Sequence, residues 1–433
     1  MEANMSEKND YPFLKSLRIN HVRHLKELDI EIDTNRPRHL ILTGPNGCGK
    51  TSVLWFLKQH LEGIPSRQLV RLEADRNDNN LRQSQITRLK EQQNNATDDL
   101  QKAVLQGQIQ QIEAVVLGTQ RQIESFEALV PQISGLTQLV ELYHKGEFLI
   151  AFFDAKRTSS IQAVTGVQKL SLPKLNPIVI SKDSLSSKFL QYLVNQINRQ
   201  AMLHQKGDVK GVQEIDRWMA DLTERFRTLF QNDSLELKYD IDEMDFRICM
   251  QGREPFRFVN NELSDGFSAV IQIISELLLR MEAVSKGDYR MPGIVLIDEI
   301  ETHLHIELQK LILPFLTEFF PNIQFVVTTH SPFVLTSLPD AVVFDLQSHK
   351  REECMAPLSA STVVEDYFES DLYSAESKRM IGRFEELVKT ASLSDVEQDE
   401  LNTLKQQLDL LVYDDSPELV AHYRHLVASE RRG

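Results

Sequence analysis

The chain has 433 residues, 41% of them hydrophobic and 26% charged, enough for a large buried core divided into two or three domains. Its formal net charge of −15 speaks against a surface that grips nucleic acid unaided, because such surfaces carry excess Lys and Arg to displace counterions. Three cysteines without metal-ligand spacing (Cys48, Cys249, Cys354), no apolar run of membrane-spanning length and a polar first ten residues predict a cytoplasmic protein without disulfides, membrane segment or secretory signal.

Residues 13–19 and 25–32 read as two strands joined by a turn, in which Arg23 and His24 stand either near a ligand or in solvent. A buried strand over residues 38–43 leads into Gly44-Pro45-Asn46-Gly47-Cys48-Gly49-Lys50-Thr51-Ser52, and residues 53–57 then open an apolar helix. This is GxxxxGK[ST] in the strand-loop-helix setting that its chemistry requires. Glycines let backbone N–H groups turn inward around phosphates, and the helix N-terminus adds the positive end of its dipole. Lys50 would then reach the β- and γ-phosphates of ATP, and Thr51 would hold Mg²⁺.

Residues 66–145 turn Gln-rich and helical. Leu105, Ile109, Ile112, Val116, Ile123 and Phe126 form a coiled-coil stripe, and the candidate hairpin tips are residues 77–80 and Asn94-Asn95. The segment holds 9 Lys and Arg against 10 Asp and Glu, which favours a protein-contacting arm over a DNA-gripping one. A strand over residues 148–157 ends at Arg157, a candidate nucleotide-site residue. Residues 160–250 read as a lid, with an amphipathic helix over 212–230 and strands over 235–239 and 246–250 that return to the core sheet.

Leu263-Ser264-Asp265-Gly266-Phe267 precedes a helical run, with Ser264 placed to cap it and Gly266 to let the backbone approach an anion. Four apolar residues then end in Asp298-Glu299, carboxylates at the C-terminal edge of a central strand, where open α/β sheets place ligands. Asp298 would bind Mg²⁺ through water, and Glu299 would orient and deprotonate an attacking water. A further strand ends at His330, which could contact the γ-phosphate and link it to Glu299. Residues 361–433 read as helices over 374–390, 394–411 and 417–432, with 16 Asp and Glu against 8 Lys and Arg. They are either a solvated cap or an acidic docking surface.

The order phosphate loop, Ser264-Asp265-Gly266, Asp298-Glu299 and His330 resembles ABC-type ATPases over residues 12–60 and 250–345. Asp265 and Phe267 depart from the commonest LSGGQ-type signature spelling. Ile300-Glu301-Thr302-His303-Leu304-His305 is similar to the "HLH" spelling of the RecF/OLD-like and SMC-like branch. That places His303 and His305 in the D-loop, the alternative being metal ligands. The resemblance implies an α/β P-loop NTPase head with an inserted antiparallel coiled-coil arm and a helical C-terminal region. The signature of one copy would face ATP on another in a head-to-tail dimer, so Ser264, Asp265 and Gly266 join residues 44–52 as nucleotide contacts. Lys50, Glu299 and His330 would be the catalytic set, and Thr51 and Asp298 the metal ligands. No glutamine presents itself for the Q-loop.

The expected parts are the N-terminal lobe 1–65, the coiled-coil insertion 66–147, the lid 148–250, the C-terminal lobe 251–350 and the acidic tail 351–433. OLD-type nucleases carry a Glu and a later Asp-x-Asp after the ATPase, and here Glu365-Asp366 is a faint echo only, so no nuclease is expected in this chain. The layout resembles the ATPase subunits of antiphage systems such as Septu and PARIS, which implies a separate nuclease or toxin partner. The competing expectation is a RecF-like DNA-binding ATPase of DNA repair; a transport ATPase fits less well because of the arm.

Overall fold

Residues 40–43, 149–153, 294–297 and 341–344 are unbroken apolar or small runs, the pattern of strands covered on both faces. In the computed structural model they become parallel strands of one six-stranded sheet. Described are residues 11–64, 68–157, 161–174, 178–180, 185–258, 264–285, 287–353, 355–363, 375–390, 394–409 and 423. Leu263, Cys354, the residues 364–366 and all of the expected helix 417–432 except Tyr423 lie outside them, as do the first ten residues. The chain divides into two units, Met1–Leu358 and Ser359–Gly433.

In the first unit, β1 (Leu14–Val22) and β2 (Leu25–Glu31) pair antiparallel, and β3 (His39–Thr43) runs through the glycine-rich loop into α1 (Lys50–Gly63). The arm follows as α2 (Gln68–Asn95) and α3 (Asp99–Glu127). Its tip falls after Asn94-Asn95, where Asp98 caps α3 by accepting from Leu100 N–H at 3.3 Å. The other candidate tip, residues 77–80, lies inside α2. Polar composition suggested a turn there, but Leu72, Asn79 and Ile86 recur every seven residues and are all buried, so the stripe carries the helix through.

β4 (Leu129–Ile133) pairs with β1, so the chain leaves the arm into the sheet order β2-β1-β4, and α4 (Leu136–Lys145) leads to β5 (Leu149–Phe153). Two helices follow, α5 (Phe189–Gln205) and α6 (Val209–Phe230). Next come β6 (Glu236–Asp240), β7 (Asp245–Cys249) and β8 (Phe256–Arg257), which form a sheet of their own. The expected return of these strands to the core sheet is therefore corrected. β6 alternates half-buried and exposed residues and pairs locally with β7, the habit of a one-sided antiparallel hairpin.

The remaining elements of this unit are α7 (Asp265–Glu282), β9 (Gly293–Ile297), α8 (Ile306–Phe319), β10 (Ile323–Thr328), α9 (Pro332–Leu335), β11 (Ala341–Asp345) and β12 (Arg351–Glu352). The central sheet runs β12-β11-β3-β10-β9-β5. All of its pairings are parallel except that of β12. The C-terminal ends of β3, β9 and β10 therefore share one edge.

One continuous core joins the antiparallel sheet β2-β1-β4 and the central sheet to α1, through Leu17, Ile19 and Ile30 on one side and Leu40, Leu42, Val53, Leu57 and Leu61 on the other. Burying each such side chain contributes about 1.5–3 kcal/mol. Gln324, 2% exposed, stitches the layers: its amide accepts from Leu14 N–H at 2.7 Å and donates to the carbonyls of Leu14 and Arg38 at 2.9 and 2.7 Å.

The second unit holds α10 (Ala360–Thr362), α11 (Ala375–Lys389) and α12 (Asp395–Asp409). Phe384, Leu387, Leu401, Leu408 and Tyr423 form its core, and Arg383 grips Glu400 with two bonds of 3.0 and 2.9 Å.

Candidate nucleotide site

The phosphate loop can be this tight only because of its glycines. Gly44 and Gly49 have φ of +128° and +105°, and a Cβ on Gly44 would stand 2.9 Å from Cys48 Sγ. Gly49 sits at the N-cap of α1 without a side-chain cap, which leaves the first N–H groups of the helix for an anion. Pro45, Asn46 and Gly47 form an exposed rim, Cys48 is buried, and Ser52 is half-buried. His24 lies beside the loop, its Cε1 3.8 Å from where a Gly49 Cβ would be; Arg23, at φ +55°, is exposed in the neighbouring turn.

Lys50 folds back over the loop. Its Nζ donates to the carbonyls of Gly44 and Pro45 at 2.7 and 3.1 Å and stands 3.5 Å from His330 Nδ1. Burial pushes its pKa down, against the pull of nearby Cys48, Glu301 and Glu299. Neutral carbonyls are a weaker match for an ammonium than a phosphate is, so the lysine is set to exchange partners.

The adjoining strand ends bring the acidic groups to the same edge. Asp298 Oδ1 accepts from Thr328 Oγ1 at 2.6 Å and Thr51 Oγ1 at 3.2 Å. Burial raises the Asp298 pKa, and these two hydroxyls oppose the rise. Thr51 and Asp298 thus form an all-oxygen pair of the hard kind that suits Mg²⁺, which keeps most of its other ligands as water and phosphate oxygens. Among the described residues no group of three or more His, Cys, Asp or Glu is arranged around a metal, and His303 and His305 gather no such set.

Glu299 lies just past β9 with φ +43°, a left-handed conformation that costs a residue with a Cβ roughly 1–2 kcal/mol. Its neighbours hold it there. Glu299 N–H donates to Thr328 Oγ1 at 2.7 Å, its Oε2 accepts from Thr302 Oγ1 at 3.2 Å, and its carbonyl accepts from Arg157 at 2.8 Å.

Arg157 was a candidate for direct nucleotide contact, and its observed partners are carbonyls. It is 3% exposed, with Nη1 on the carbonyls of Asp298 (2.6 Å) and Asp154 (3.2 Å) and Nη2 on those of Glu299 (2.8 Å) and Ile300 (3.2 Å). Burial lowers its pKa to about 10, so it stays charged near neutrality. Arg157 therefore braces the turn that carries both acids. Arg157→Ala is expected to destabilise the fold by on the order of 3 kcal/mol, since it strands buried carbonyls. Lysine should restore only part, because one ammonium cannot span four acceptors. An unchanged urea midpoint in Arg157→Ala would remove the brace.

His330 follows β10, and its N–H donates to Glu301 Oε1 at 2.5 Å. Burial and then the charge of Lys50 push its pKa down, while Glu301 pulls it up. Its ring stands against Lys50 and its main chain against Glu301.

The signature segment makes different contacts. Ser264 and Asp265 are exposed, and Gly266 is buried so close to the D-loop that a Cβ on it would lie 2.7 Å from the His303 carbonyl oxygen. His303 itself has φ +67°. Ser264 occupies the N-cap of α7, but the expected side-chain cap is not made; its carbonyl instead accepts from Ser268 N–H at 2.9 Å. Phe267 stacks on Phe230 at the end of α6, rings 4.0 Å apart and 8° from parallel. A cleft of about 740 Å³ that sequence reasoning did not raise opens elsewhere, lined by Trp218, Arg225, Tyr289, Arg290 and Phe319 among others.

A family model described as "AAA domain, putative AbiEii toxin, Type IV TA system" matches residues 214–336. The chain is 27% identical over 234 residues to "Retron Vc95 probable ATPase" of Vibrio cholerae serotype O1 biovar El Tor, covering 48% of this chain and 45% of that one. It is 33% identical over 135 residues to "Retron Ec83 probable ATPase" of Escherichia coli (29% and 25% covered). It is 36% identical over 103 residues to Septu protein PtuA of Bacillus mycoides strain KBAB4 (23% and 14% covered). The chain thus spans less than half the length of these curated relatives. The GxxxxGK[ST] loop between strand and helix, and the parallel sheet that gathers this loop, Asp298-Glu299 and His330 at one edge, give an α/β fold of the P-loop kind, and over part of its length the chain is similar to the ATPases of retron and Septu systems.

Proposed function

We propose that the chain binds ATP with Mg²⁺ and hydrolyses it, that two copies complete each other's sites head to tail, and that this cycle controls a separate nuclease or toxin in antiphage defence. The observation that carries the reading is the gathering at one sheet edge of two pairs, Lys50 with His330 at 3.5 Å and Thr51 with Asp298 at 3.2 Å, while Thr328 holds Asp298 at 2.6 Å and Glu299 N–H at 2.7 Å. Mg²⁺, held by Thr51 and Asp298, would supply charge neutralisation at the phosphates. Lys50 would bind the β- and γ-phosphates. Glu299 would take the proton of a water attacking the γ-phosphorus as the bond to ADP breaks, and His330 would stand against the γ-phosphate. The exposed Ser264 and Asp265 are free to meet nucleotide on a second copy.

The similarity to retron and Septu ATPases supports the defence role. The chain's net charge of −15 and its nearly neutral arm support a protein partner over DNA. No helix among the described residues is long and apolar enough to cross a membrane. Pull-down of tagged Glu299→Gln chain from its host with ATP tests the reading. A stoichiometric small nuclease or toxin supports it, whereas DNA with repair proteins and no such effector moves the assignment to a RecF-like ATPase.

Gly266→Ala probes the shared site. The added methyl meets main chain and not a flexible side chain, so the signature and the D-loop must part. Hydrolysis should fall about tenfold or more through misplacement, with the affinity of the phosphate loop for ATP unchanged. Equal hydrolysis by variant and parent would show that the signature plays no part.

A further inference from the structure

Glu301 follows the Asp298-Glu299 pair by two positions and has no place in the proposed chemistry. Its surroundings are nevertheless specific. Oε1 accepts the main-chain N–H of His330 at 2.5 Å, and Oε2 is buried with no hydrogen-bond partner. Leaving a carboxylate oxygen enclosed and unpaired is unfavourable unless positive charge lies around it. The ionised forms of Lys50, Arg157 and His330 are each favoured by this carboxylate. It is therefore a common counter-charge to the phosphate-loop lysine, the brace behind Asp298 and the histidine after β10.

The loop after β10 shows why one bond matters. Thr329 N–H is tied to the Leu42 carbonyl at 3.0 Å, and Ser331 N–H to Thr329 Oγ1 at 3.0 Å. Between them, His330 lies beyond the sheet ladder, and the partner of its N–H is on the D-loop. Its imidazole meets Lys50 at 3.5 Å, so any slip of this main chain moves the ring relative to the phosphate-binding lysine.

We propose that Glu301 is a positioning residue: its carboxylate clamps the main chain of His330 and so sets where the imidazole stands at the γ-phosphate end of the site, without itself binding nucleotide. The inference rests on the ATPase reading above.

Three substitutions separate its attributes. Glu301→Gln keeps an acceptor for His330 N–H, Glu301→Ala removes it, and Glu301→Asp keeps the charge but retracts it by one methylene. Hydrogen exchange at the His330 amide, read in the nucleotide-free protein, should quicken about tenfold or more in the Ala and Asp variants and stay near the parent in Gln. ATP turnover should follow the same order, with kcat down about tenfold in Ala and Asp and KM nearly unchanged. The Asp variant carries the test where Ala fails to fold.

Unchanged exchange in both Ala and Asp would overturn the clamp. Faster exchange with unchanged kcat, or a rise in KM alone, would overturn the positioning role. If the parent chain hydrolyses no ATP, the ATPase reading fails and the catalytic role falls with it, while the exchange measurement still decides whether Glu301 holds His330.

Discussion

Glu299→Gln is expected to slow ATP hydrolysis by on the order of 10²-fold or more while ATP stays bound and a two-copy assembly accumulates. The substitution is nearly isosteric. The main-chain bonds from Glu299 N–H to Thr328 and from Arg157 to the Glu299 carbonyl do not involve the altered group, so the strained φ of +43° should persist. What changes is the carboxylate: an amide cannot accept the proton of the attacking water. Phosphate release and light scattering with ATP measure the two halves of this expectation. Hydrolysis at the parent rate would show that another group is the base and would remove Glu299 from the mechanism.

Lys50→Ala should weaken ATP binding by about 10²-fold or more, since charge-assisted contacts to phosphate are the strongest that the loop can offer. In the nucleotide-free protein the same substitution should be tolerated. The ammonium there is penalised by burial and satisfied by two main-chain carbonyls, so its removal ends a desolvation cost along with those bonds. Melting temperature and the affinity for a fluorescent ATP analogue therefore separate cleanly. A large loss of stability with affinity retained would mean that Lys50 is structural and that phosphates bind elsewhere.

The parts of this molecule that were legible in the sequence are those whose chemistry acts over a few neighbouring residues. A loop that wraps phosphate needs glycines at fixed offsets, a preceding strand and a following helix, so residues 38–57 carried their meaning locally. The apolar run ending in Asp298-Glu299 was readable for the same reason: a strand buried on both faces must be apolar, and polar groups appear where it emerges. The helical arm was visible from its stripe, whereas its turn was ambiguous, because Asn suits both a hairpin tip and a position such as Asn79 inside a helical pair.

Residues whose roles depend on distant partners were not legible. Arg157 serves main-chain carbonyls more than 140 positions away, and a carbonyl leaves no trace in residue identity. Gln324 joins Leu14 and Arg38 across 310 and 286 positions, and Glu301 meets His330 only because the D-loop and the end of β10 lie on one sheet edge. The hairpin strands β6 and β7 were misplaced in the core sheet because their alternation reveals one covered face and not which layer covers it. The order of residues along the chain determined which groups are available for the proposed chemistry with phosphate, metal and water, since those demands are met by residue type and short spacing. The tertiary structure alone decided how the groups are held and charged, because burial, strain and hydrogen-bond partners arise only when segments remote in sequence are brought into contact.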